Sequence, residues 1–367
     1  MIKLFNVVGA RPQFVKAAVI SRATHRRSEF EEVIVHTGQH FDNNMSGIFF
    51  EEMQIPKPDF NLDINGMGHG AMTGHMLIKI EELLIEEKPD YVVVYGDTNS
   101  TLAAALAAKK LNIRIVHVEA GVRNFDETMP EEINRYVVDR ISDLNITCTW
   151  LGEKNLENEG YKTESVNSEV KNIGDVMYDA ALFYSELSDS KSDILSTLEL
   201  ESGNFIISTV HRASNTDDEE SLTSIVKLLN KAHKECPVVL PLHPRTKAYF
   251  DKYGLVPEFR TIDPIGYFDM IQLVKHSKYV LTDSGGVVRE AYFFEKPSII
   301  LLEKPLWPEL VWEGACIAAK PKEALLLEAY EKLKTSKPDF SRKIYGDGQA
   351  GDKILQLILD DYEQHRK

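Results

Sequence analysis

Short apolar runs rich in Val and Ile recur along this chain and alternate with longer segments of helical pattern. Runs that are apolar at every position, rather than at every second one, are typical of parallel strands covered by helices on both faces. We predict one series of strands at 3–8, 32–36, 91–95, 114–118 and 144–148, and a second at 205–209, 237–240, 260–262, 279–281 and 298–301. The alternation predicts an α/β fold of two doubly wound, Rossmann-like domains.

A polar stretch at 159–171 separates the two series of strands. It predicts an N-terminal domain over 1–170 and a C-terminal, nucleotide-binding domain over 171–349. A last helix over 350–367 has apolar residues at helical spacing, and we expect it to pack back onto the first domain. Doubly wound sheets bind ligands beyond the carboxyl ends of their strands, so we expect the active site in the cleft between the domains.

The composition narrows the classes of partner. The 367 residues carry a net charge of −15, which argues against a general nucleic-acid or anionic-membrane surface. Cys148, Cys236 and Cys316 are widely spaced and odd in number, which favours a reducing cytoplasm over a disulfide framework or a zinc site. The N-terminus does not resemble a signal peptide, and no apolar segment approaches the length of a membrane span.

The clearest single motif follows the predicted strand at 279–281, where Thr282-Asp283-Ser284-Gly285-Gly286 leads directly into a helix. The unpaired N–H groups and the positive dipole end of such a helix suit a diphosphate. Glu290, one turn into the helix, could accept hydrogen bonds from a ribose diol. The alternative is an ordinary helix cap with glycines for tight packing.

Chemically able residues follow the predicted strands of the first series. Arg11 and Lys16 place positive charge after the first strand, Asp97 follows the third, and Glu119 ends the fourth. Asp97 could instead cap the following helix. A carboxylate such as Glu119 is costly to bury unpaired, so its alternative role is an ion pair with Arg123 or Arg135.

Three further candidates have structural alternatives of their own. Glu131 opens a helix after Pro130 and could simply serve the helix dipole. His211 and His243 follow strands of the second series and could be capped, structural histidines. His69 and His75 have no carboxylate at helical spacing, so we predict no metal site there.

Taken in order, these segments resemble the non-hydrolysing UDP-N-acetylglucosamine 2-epimerases over nearly the whole chain. The segments are Gly9-Ala10-Arg11-Pro12, Gly96-Asp97-Thr98, His117-Val118-Glu119-Ala120-Gly121, Pro130-Glu131-Glu132-Ile133-Asn134-Arg135, Gly174-Asp175-Val176, His211-Arg212, Thr282-Asp283-Ser284-Gly285-Gly286 and Tyr345-Gly346-Asp347-Gly348. The resemblance implies a glycosyltransferase-B-like fold, a homodimer, and reversible inversion at C2 of a UDP-linked 2-acetamido sugar for surface polysaccharide synthesis. It also implies neither a metal nor a nicotinamide cofactor.

The resemblance implies roles for the candidate residues. Asp97 and Glu131 would transfer protons at C2, with Glu119 orienting them or tuning their pKa. The departing diphosphate would be assisted by Arg11, by His211 and by the amides of Ser284, Gly285 and Gly286. Glu290 would bind the ribose. Supporting contacts would come from Lys16, Arg135 and His243.

Some segments point to alternatives. Gly9 to Phe14, together with Asn215 to Asp218, resembles the branch that acts on UDP-2,3-diacetamido-glucuronic acid. The chain also departs from the common family pattern at four positions, where Arg, Glu, Gln and His are usual: Leu302, Leu306, Val288 and Arg140. A UDP-sugar glycosyltransferase of the same architecture and a UDP-sugar sensor without turnover are the competing hypotheses.

Overall fold

A computed structural model describes residues 1–39, 54, 57–163, 166 and 168–365, apart from the side chain of Arg11. The chain divides into two compact units. The N-terminal unit comprises Met1–Ala180 and Ile344–Lys367, and the C-terminal unit comprises Ala181–Lys343. Among the described helices, none has the length and apolar character needed to cross a lipid bilayer.

The N-terminal unit is built on a parallel sheet with the strand order β3-β2-β1-β4-β5-β6-β7. Its strands are β1 (Ile2–Val8), β2 (Phe30–His36), β3 (Phe60–Asn61), β4 (Tyr91–Tyr95), β5 (Arg114–Ala120), β6 (Leu144–Thr147) and β7 (Glu169–Asn172). Its helices are α1 (Arg11–His25), α2 (His69–Glu87), α3 (Asn99–Lys110), α4 (Pro130–Ile141), α5 (Trp150–Asn158), the start of α6 (Val176–Lys191) and the C-terminal α15 (Ala350–His365).

The core of this unit follows from the composition of its central elements. β4 is apolar at all five positions, and every one of its residues is buried. Helix α3 contributes small side chains, and Ala103, Ala104 and Ala107 are fully buried against the sheet and α2. Alanine favours a helix and lets its backbone approach a sheet closely, so the sequence explains both the helix and its depth.

The C-terminal unit has a second parallel sheet, in the order β10-β9-β8-β11-β12-β13. Its strands are β8 (Ile206–Thr209), β9 (Val238–Pro241), β10 (Arg260–Ile262), β11 (Tyr279–Thr282), β12 (Ser298–Ile300) and β13 (Cys316–Ala318). Its helices, after the end of α6, are α7 (Ile194–Thr197), α8 (Ala213–Thr216), α9 (Glu219–Glu235), α10 (Pro244–Tyr253), α11 (Tyr267–His276), α12 (Gly285–Phe293), α13 (Pro308–Trp312) and α14 (Glu323–Thr335).

Both sheets start at a central strand and wind outward in two directions. The chain changes direction between β1 and β4 in one sheet and between β8 and β11 in the other. The loops that leave such neighbouring strands diverge and open a crevice at the carboxyl edge, which is where ligands of these folds bind. The loops after β1, β4, β8 and β11 therefore determine where functional groups collect.

The C-terminal helix α15 is anchored within the N-terminal unit by polar contacts. Asp361 accepts hydrogen bonds from the hydroxyl of Tyr91 at 2.5 Å and from the guanidinium of Arg114 at 2.6 Å. Nearer its N-terminus, Asp352 lies 2.8 Å from the guanidinium of Arg26, the residue that follows α1. These contacts hold the helix at both ends.

The ten predicted strands are present, with ends that shift by up to two residues, and the described residues contain three more. The additional strands are β3, β7 and β13. β7 begins at Glu169, within the polar stretch that separates the two predicted series of strands. Its four residues pair with β6 although only Val170 is buried.

Candidate active site

Glu119 lies at an irregularity in β5. The pairing of β5 with β6 shifts register between Val118 and Ala120, and the φ angle of Glu119 is 75°. A non-glycine residue rarely adopts this left-handed conformation, and such strain concentrates at functional sites. A bulge also redirects one side chain at the end of a strand. The local backbone therefore sets the direction of this carboxylate.

The carboxylate of Glu119 is paired with a lysine. Oε1 of Glu119 lies 2.7 Å from Nζ of Lys16, and the two side chains are only 12% and 4% exposed. The ion pair predicted as an alternative therefore exists, but its partner is Lys16 rather than Arg123 or Arg135. A Cβ atom at Gly96 would lie 3.4 Å from the Lys16 ammonium and 3.5 Å from Oε1 of Glu119, so the turn after β4 borders this pair.

Asp97 follows that turn and is held by helix α4. Its Oδ2 accepts a hydrogen bond from Nε of Arg135 at 3.0 Å, and its carbonyl oxygen accepts one from Nδ2 of Asn134 at 2.8 Å. Burial alone would lower the pKa of Arg135, but the carboxylates of Asp97 and Glu132 outweigh burial and raise it. Asp97 is not the cap of α3, because that role belongs to Thr98.

The first turn of α4 presents two adjacent glutamates in different settings. Glu132 is fully buried, and it accepts hydrogen bonds from the backbone N–H of Phe125 at 2.8 Å and from Arg135 at 2.7 Å. Glu131 is half-buried and, within the described part of the chain, forms no hydrogen bond or ion pair. Glu132 therefore holds the loop before the helix, while the Glu131 carboxylate remains available to a ligand.

The loop after β1 is closed by a glutamine that the sequence did not single out. Oε1 of Gln13 accepts hydrogen bonds from the N–H groups of Gly9 at 2.9 Å and Ala10 at 3.0 Å. Its Nε2 donates to the carbonyl oxygen of Tyr95 at 2.8 Å. The N–H groups of Gly9 and Ala10 therefore already have an acceptor. The cationic side chain that the structure describes beside this loop is Lys16, on α1. The side chain of Arg11, predicted to assist the diphosphate, lies outside the described part of the structure.

In the C-terminal unit, Asp283 organises the loops after β8 and β11. Its buried carboxylate accepts hydrogen bonds from the backbone N–H groups of His211 and Arg212, at 3.0 and 2.9 Å. It also lies 3.2 Å from Nδ1 of His211. Burial alone would raise the pKa of Asp283, but the hydrogen bonds from His211 and the two backbone N–H groups hold it below its usual value. Asp283 thus orients His211, whose ring remains 44% exposed.

Helix α12 begins as the glycine-rich motif predicts. Ser284 is the N-cap, and its hydroxyl accepts a hydrogen bond from the N–H of Val287 at 3.3 Å. Gly285 and Gly286 occupy the first turn, where N–H groups have no carbonyl partner within the helix. Glu290 lies one turn further and is buried. This start of α12 has the features of an anion site.

Arg212 is a cation at this site to which the sequence assigned no role. A Cβ atom at Gly285 would lie 3.8 Å from Nη2 of Arg212 and 3.5 Å from Nε1 of Trp307. The guanidinium therefore stands beside the first turn of α12. Its position next to His211 in the sequence was the signal that could have identified it.

His243 has a structural role in the C-terminal unit. His243 is exposed, and its Nδ1 accepts a hydrogen bond from the N–H of Arg245 at 3.2 Å, so it caps α10 as the alternative interpretation expected. Its ring centroid lies 6.3 Å from that of His211.

Ligand atoms of Glu119, Cys148 and Asp175 lie within 4.8 Å of one another. Because the Lys16 ammonium already neutralises Glu119, we assign no metal to this group.

The positions that depart from the family pattern are also located. Leu302 and Val288 are buried, and Arg140 is exposed on α4. A side-chain carbon of Leu306 would lie 3.8 Å from a Cβ atom at Gly285, so this residue borders the start of α12.

Comparison with known proteins decides the family. Residues 22–359 match the family model for UDP-N-acetylglucosamine 2-epimerase. The chain belongs to this family. The family and the α/β, glycosyltransferase-B-like fold class predicted from the sequence are thereby confirmed.

Relatives within the epimerase family cover the chain almost completely. A UDP-2,3-diacetamido-2,3-dideoxy-D-glucuronate 2-epimerase of Pseudomonas aeruginosa is 47% identical over 97% of this chain and 99% of its own length. The crystal structure of the Methanocaldococcus jannaschii UDP-GlcNAc 2-epimerase, in complex with UDP-GlcNAc and UDP, is 36% identical with a TM-score of 0.86, covering 98% of this chain and 99% of that one. A co-structure of S. aureus MnaA with UDP is 29% identical with a TM-score of 0.86, covering 99% of this chain and 97% of that one.

Proposed function

We propose that this protein is a non-hydrolysing UDP-N-acetylglucosamine 2-epimerase, which interconverts UDP-GlcNAc and UDP-ManNAc for surface polysaccharide synthesis. The observation that carries the proposal is the arrangement of three acids: Glu119 lies in β5, Asp97 follows the neighbouring strand β4, and Glu131 lies in the first turn of α4. The N-terminal unit supplies the proton-transfer groups, and the C-terminal unit supplies the groups that bind the nucleotide.

The chemistry requires carboxylates of this kind. The C2–H bond of the sugar is not acidic until the bond between C1 and the diphosphate oxygen lengthens and leaves positive charge at C1. A carboxylate then takes the C2 proton, the C–H electron pair forms the C1=C2 double bond, and UDP leaves with the electrons of the C1–O bond. Return of a proton to the opposite face of C2 and re-addition of UDP at C1 give the epimer.

Asp97 and Glu131 are our candidates for the two proton-transfer groups. The half-buried Glu131 has no partner among the described residues, so a ligand proton does not have to displace an existing ion pair. Asp97 is oriented by Arg135, which fixes the direction of its carboxylate. Glu119, which is paired with Lys16, would orient the substrate or tune the other two acids.

The departing diphosphate is assigned to the C-terminal unit. The N–H groups of Gly285 and Gly286 would donate to its oxygens, and His211 would stabilise its charge. The N–H of Ser284, which was predicted to join them, already donates to the hydroxyl of Thr282 at 2.9 Å. Arg212 stands beside the same turn and supports this assignment. Glu290 would accept hydrogen bonds from the ribose. Arg11 would assist the departing diphosphate, and Lys16, Arg135 and His243 would make supporting contacts with the UDP-sugar.

Incubation with UDP-GlcNAc in deuterated water tests the proposal. An epimerase of this type incorporates deuterium at C2 and forms the manno epimer, with no net accumulation of UDP. A UDP-sugar glycosyltransferase would not exchange the C2 hydrogen, and a sensor would bind without labelling. No label at C2, with UDP-GlcNAc and with the diacetamido-uronic acid substrate, would contradict the proposal.

UDP-2,3-diacetamido-glucuronic acid is the second candidate substrate, favoured by the 47% identity to the Pseudomonas aeruginosa enzyme. The C2 chemistry is the same for both sugars. Comparing kcat/KM for the two UDP-sugars in the same exchange assay distinguishes them.

We further propose a homodimer located in the cytoplasm. Helix α2 exposes Ile78 and Ile85, at 53% and 58%, seven residues apart and hence on one face. A second copy of the chain would cover this face. The three cysteines are buried thiols, which is consistent with a reducing compartment.

A further inference from the structure

One buried imidazole connects the segments that carry the three acids. His117 lies in β5, two residues before Glu119, and its ring is fully buried. Its Nε2 lies 2.7 Å from the carbonyl oxygen of Gly96, the residue that precedes Asp97. Its Nδ1 lies 2.7 Å from Oδ1 of Asp139 on α4.

Helix α4 carries Glu131 in its first turn, so the contact with Asp139 ties the third acid to the same ring. A second set of backbone contacts supports the connection. The N–H of Gly96 donates to the carbonyl oxygen of Val118 at 2.9 Å, and the N–H of Gly121 donates to Asp139 at 3.2 Å. Gly96 is therefore held through both its N–H and its carbonyl group by β5.

The two atoms that face the ring of His117 determine its protonation. A carbonyl oxygen can only accept, so Nε2 must donate to Gly96. Oδ2 of Asp139 lies 2.7 Å from the Arg123 guanidinium and also receives the N–H of Gly121, which favours an ionised carboxylate. An ionised carboxylate is likewise only an acceptor, so Nδ1 must donate as well.

The surrounding charges balance such an imidazolium. Burial alone would raise the pKa of Asp139, but the hydrogen bonds and charges of His117 and Arg123 outweigh it and lower that pKa. Arg123 also forms two 2.8 Å contacts with Glu159. Two cations and two carboxylates therefore make a neutral network, the form in which buried charges are tolerated. The Lys16–Glu119 pair, on the neighbouring elements, is neutral by itself.

We propose that His117 is a positioning residue of the epimerase: as a doubly protonated ring it fixes the Gly96–Asp97 turn, the Glu119 bulge and helix α4 relative to one another. The inference rests on the proposed function, because the acids it positions are the ones assigned to proton transfer. His117 itself does not touch the substrate in this scheme.

Nitrogen NMR of the full chain, labelled with ring-¹⁵N histidine, tests the protonation state without any substrate. The His117 signals are assigned by their loss in His117→Gln. At neutral pH we expect both ring nitrogens to resonate as protonated nitrogens with directly bonded hydrogens. In Asp139→Asn the amide can donate to Nδ1, so we expect that nitrogen to lose its proton. An unprotonated Nδ1 or Nε2 in the wild-type protein would overturn the inference.

Kinetics test the positioning role. His117→Gln should lower kcat for C2 deuterium exchange by up to about 100-fold, the cost of misplacing a reacting group by about 1 Å. The Kd for UDP, measured by calorimetry, should stay close to the wild-type value, because the nucleotide is assigned to the C-terminal unit. His365→Gln, which removes an exposed histidine from α15, is the matched control and should match wild type in both measurements.

Wild-type kcat in His117→Gln, or equal loss of UDP binding and kcat, would overturn the positioning role. If His117→Gln does not fold, Asp139→Asn replaces it in both assays with the same expectations. If the wild-type protein exchanges no C2 hydrogen with either sugar, the proposed function fails and the positioning role fails with it. The NMR result still decides whether His117 is an imidazolium.

Discussion

The Glu119 carboxylate shows how one residue's backbone and its charge partner depend on each other. Its φ angle of 75° is a conformation that costs on the order of 1–3 kcal/mol for a non-glycine residue. The contact with Lys16, at 2.7 Å between two largely buried side chains, helps to offset this cost. The strain therefore persists because the ion pair and the bulge in β5 both require it.

This pair predicts a specific pattern of stability. Removing one partner, as in Lys16→Met or Glu119→Gln, leaves a buried charge unpaired and should lower the free energy of unfolding by about 3 kcal/mol. The double variant should lose less than the sum of the two. Urea unfolding of the four proteins measures the coupling.

The exposed pair formed by Lys227 on α9 and Glu323 on α14, at 2.7 Å, is the control for that cycle. Its two side chains are 55% and 50% exposed, so the same substitutions there should change the free energy of unfolding by no more than about 0.5 kcal/mol. Equal coupling in the two pairs would contradict the role assigned to burial.

Glu131 predicts a kinetic effect without a binding effect. Glu131→Gln removes a proton-transfer group but keeps the shape of the side chain, so C2 exchange should fall by about 100-fold or more. UDP should bind as before, because the diphosphate is assigned to the C-terminal unit. Exchange followed by NMR and UDP titration by calorimetry measure the two quantities.

Glu127→Gln is the matched control for Glu131, since Glu127 is an exposed acid in the loop before α4. It should leave both quantities unchanged. An unchanged exchange rate in Glu131→Gln would remove this residue from the mechanism.

At this scale the sequence predicted residue types better than their partners. It singled out Asp97 and Glu119 because polar groups after apolar strands are informative without any structure, and Glu131 because its segment resembles the family. It predicted an ion pair between Glu119 and Arg123 or Arg135 as the alternative, yet the partner of Glu119 is Lys16, 103 positions away. Which of several cations reaches a carboxylate depends on how loops from non-adjacent strands meet, and spacing along the chain does not contain that information.

At the scale of elements, the interior strands and the edge strand β10 were predictable, and the other edge strands, β3, β7 and β13, were not. β4 is apolar throughout because helices cover both of its faces. β3 has two residues and β7 is mostly polar, so neither carries a hydrophobic pattern. Pairing with the neighbouring strand forms them, as the register of β7 against β6 shows. The division of the chain at 170/171 and 349/350 stays a prediction.

The contact between α6 and α15 introduces a pH dependence. Asp179 on α6 accepts a hydrogen bond from the N–H of Gly351 at 2.9 Å. Burial, with smaller contributions from the neighbouring carboxylates of Asp175 and Asp347, raises its pKa from 3.8 to about 6 despite that bond. The folded protein therefore binds more protons than the unfolded chain between these pH values, so this group lowers stability as the pH rises from about 4 to about 6.

Asp179→Asn tests this dependence, because an amide keeps the acceptor for Gly351 and does not ionise. Relative to wild type, the variant should gain unfolding free energy across pH 4 to 6 and be more stable by on the order of 2 kcal/mol at pH 7.5. Urea unfolding at several pH values measures the difference. Asp360→Asn, on the exposed face of α15, is the control. A difference that did not vary with pH would contradict the assignment.

At the scale of the whole molecule, the two units use one topological rule. Each sheet begins at a central strand and changes direction beside it, and in each unit part of the candidate set follows those strands: Asp97 comes after β4, and His211 and Ser284 come after β8 and β11. One such edge bears the acids and the other bears the glycine-rich start of α12. This separation explains why the family could be predicted from ordered motifs spread over the entire chain rather than from any single one.

The exposed face of α2 predicts the oligomeric state. Ile78 and Ile85 share this face with two exposed small residues, Ala71 and Gly74, and the charged Lys79 and Glu82 border the stripe that they form. Exposed apolar residues rimmed by charged ones are typical of a surface covered by a partner. Because identical chains commonly pair through one self-complementary patch, we expect a twofold dimer. Ile78→Glu would place two added carboxylates opposite each other at such an interface. Light scattering coupled to size-exclusion chromatography should then report the mass of one chain, near 41.6 kDa, instead of two.

Val256→Glu supplies the control, since Val256 is 77% exposed in the C-terminal unit and outside this stripe. It adds the same charge and should leave the mass unchanged. The far-ultraviolet circular dichroism of Ile78→Glu should match wild type, because the substituted side chain is exposed within its own unit. A wild-type protein that elutes with the mass of one chain, or an Ile78→Glu variant that keeps the mass of two, would show that this face of α2 does not form the dimer.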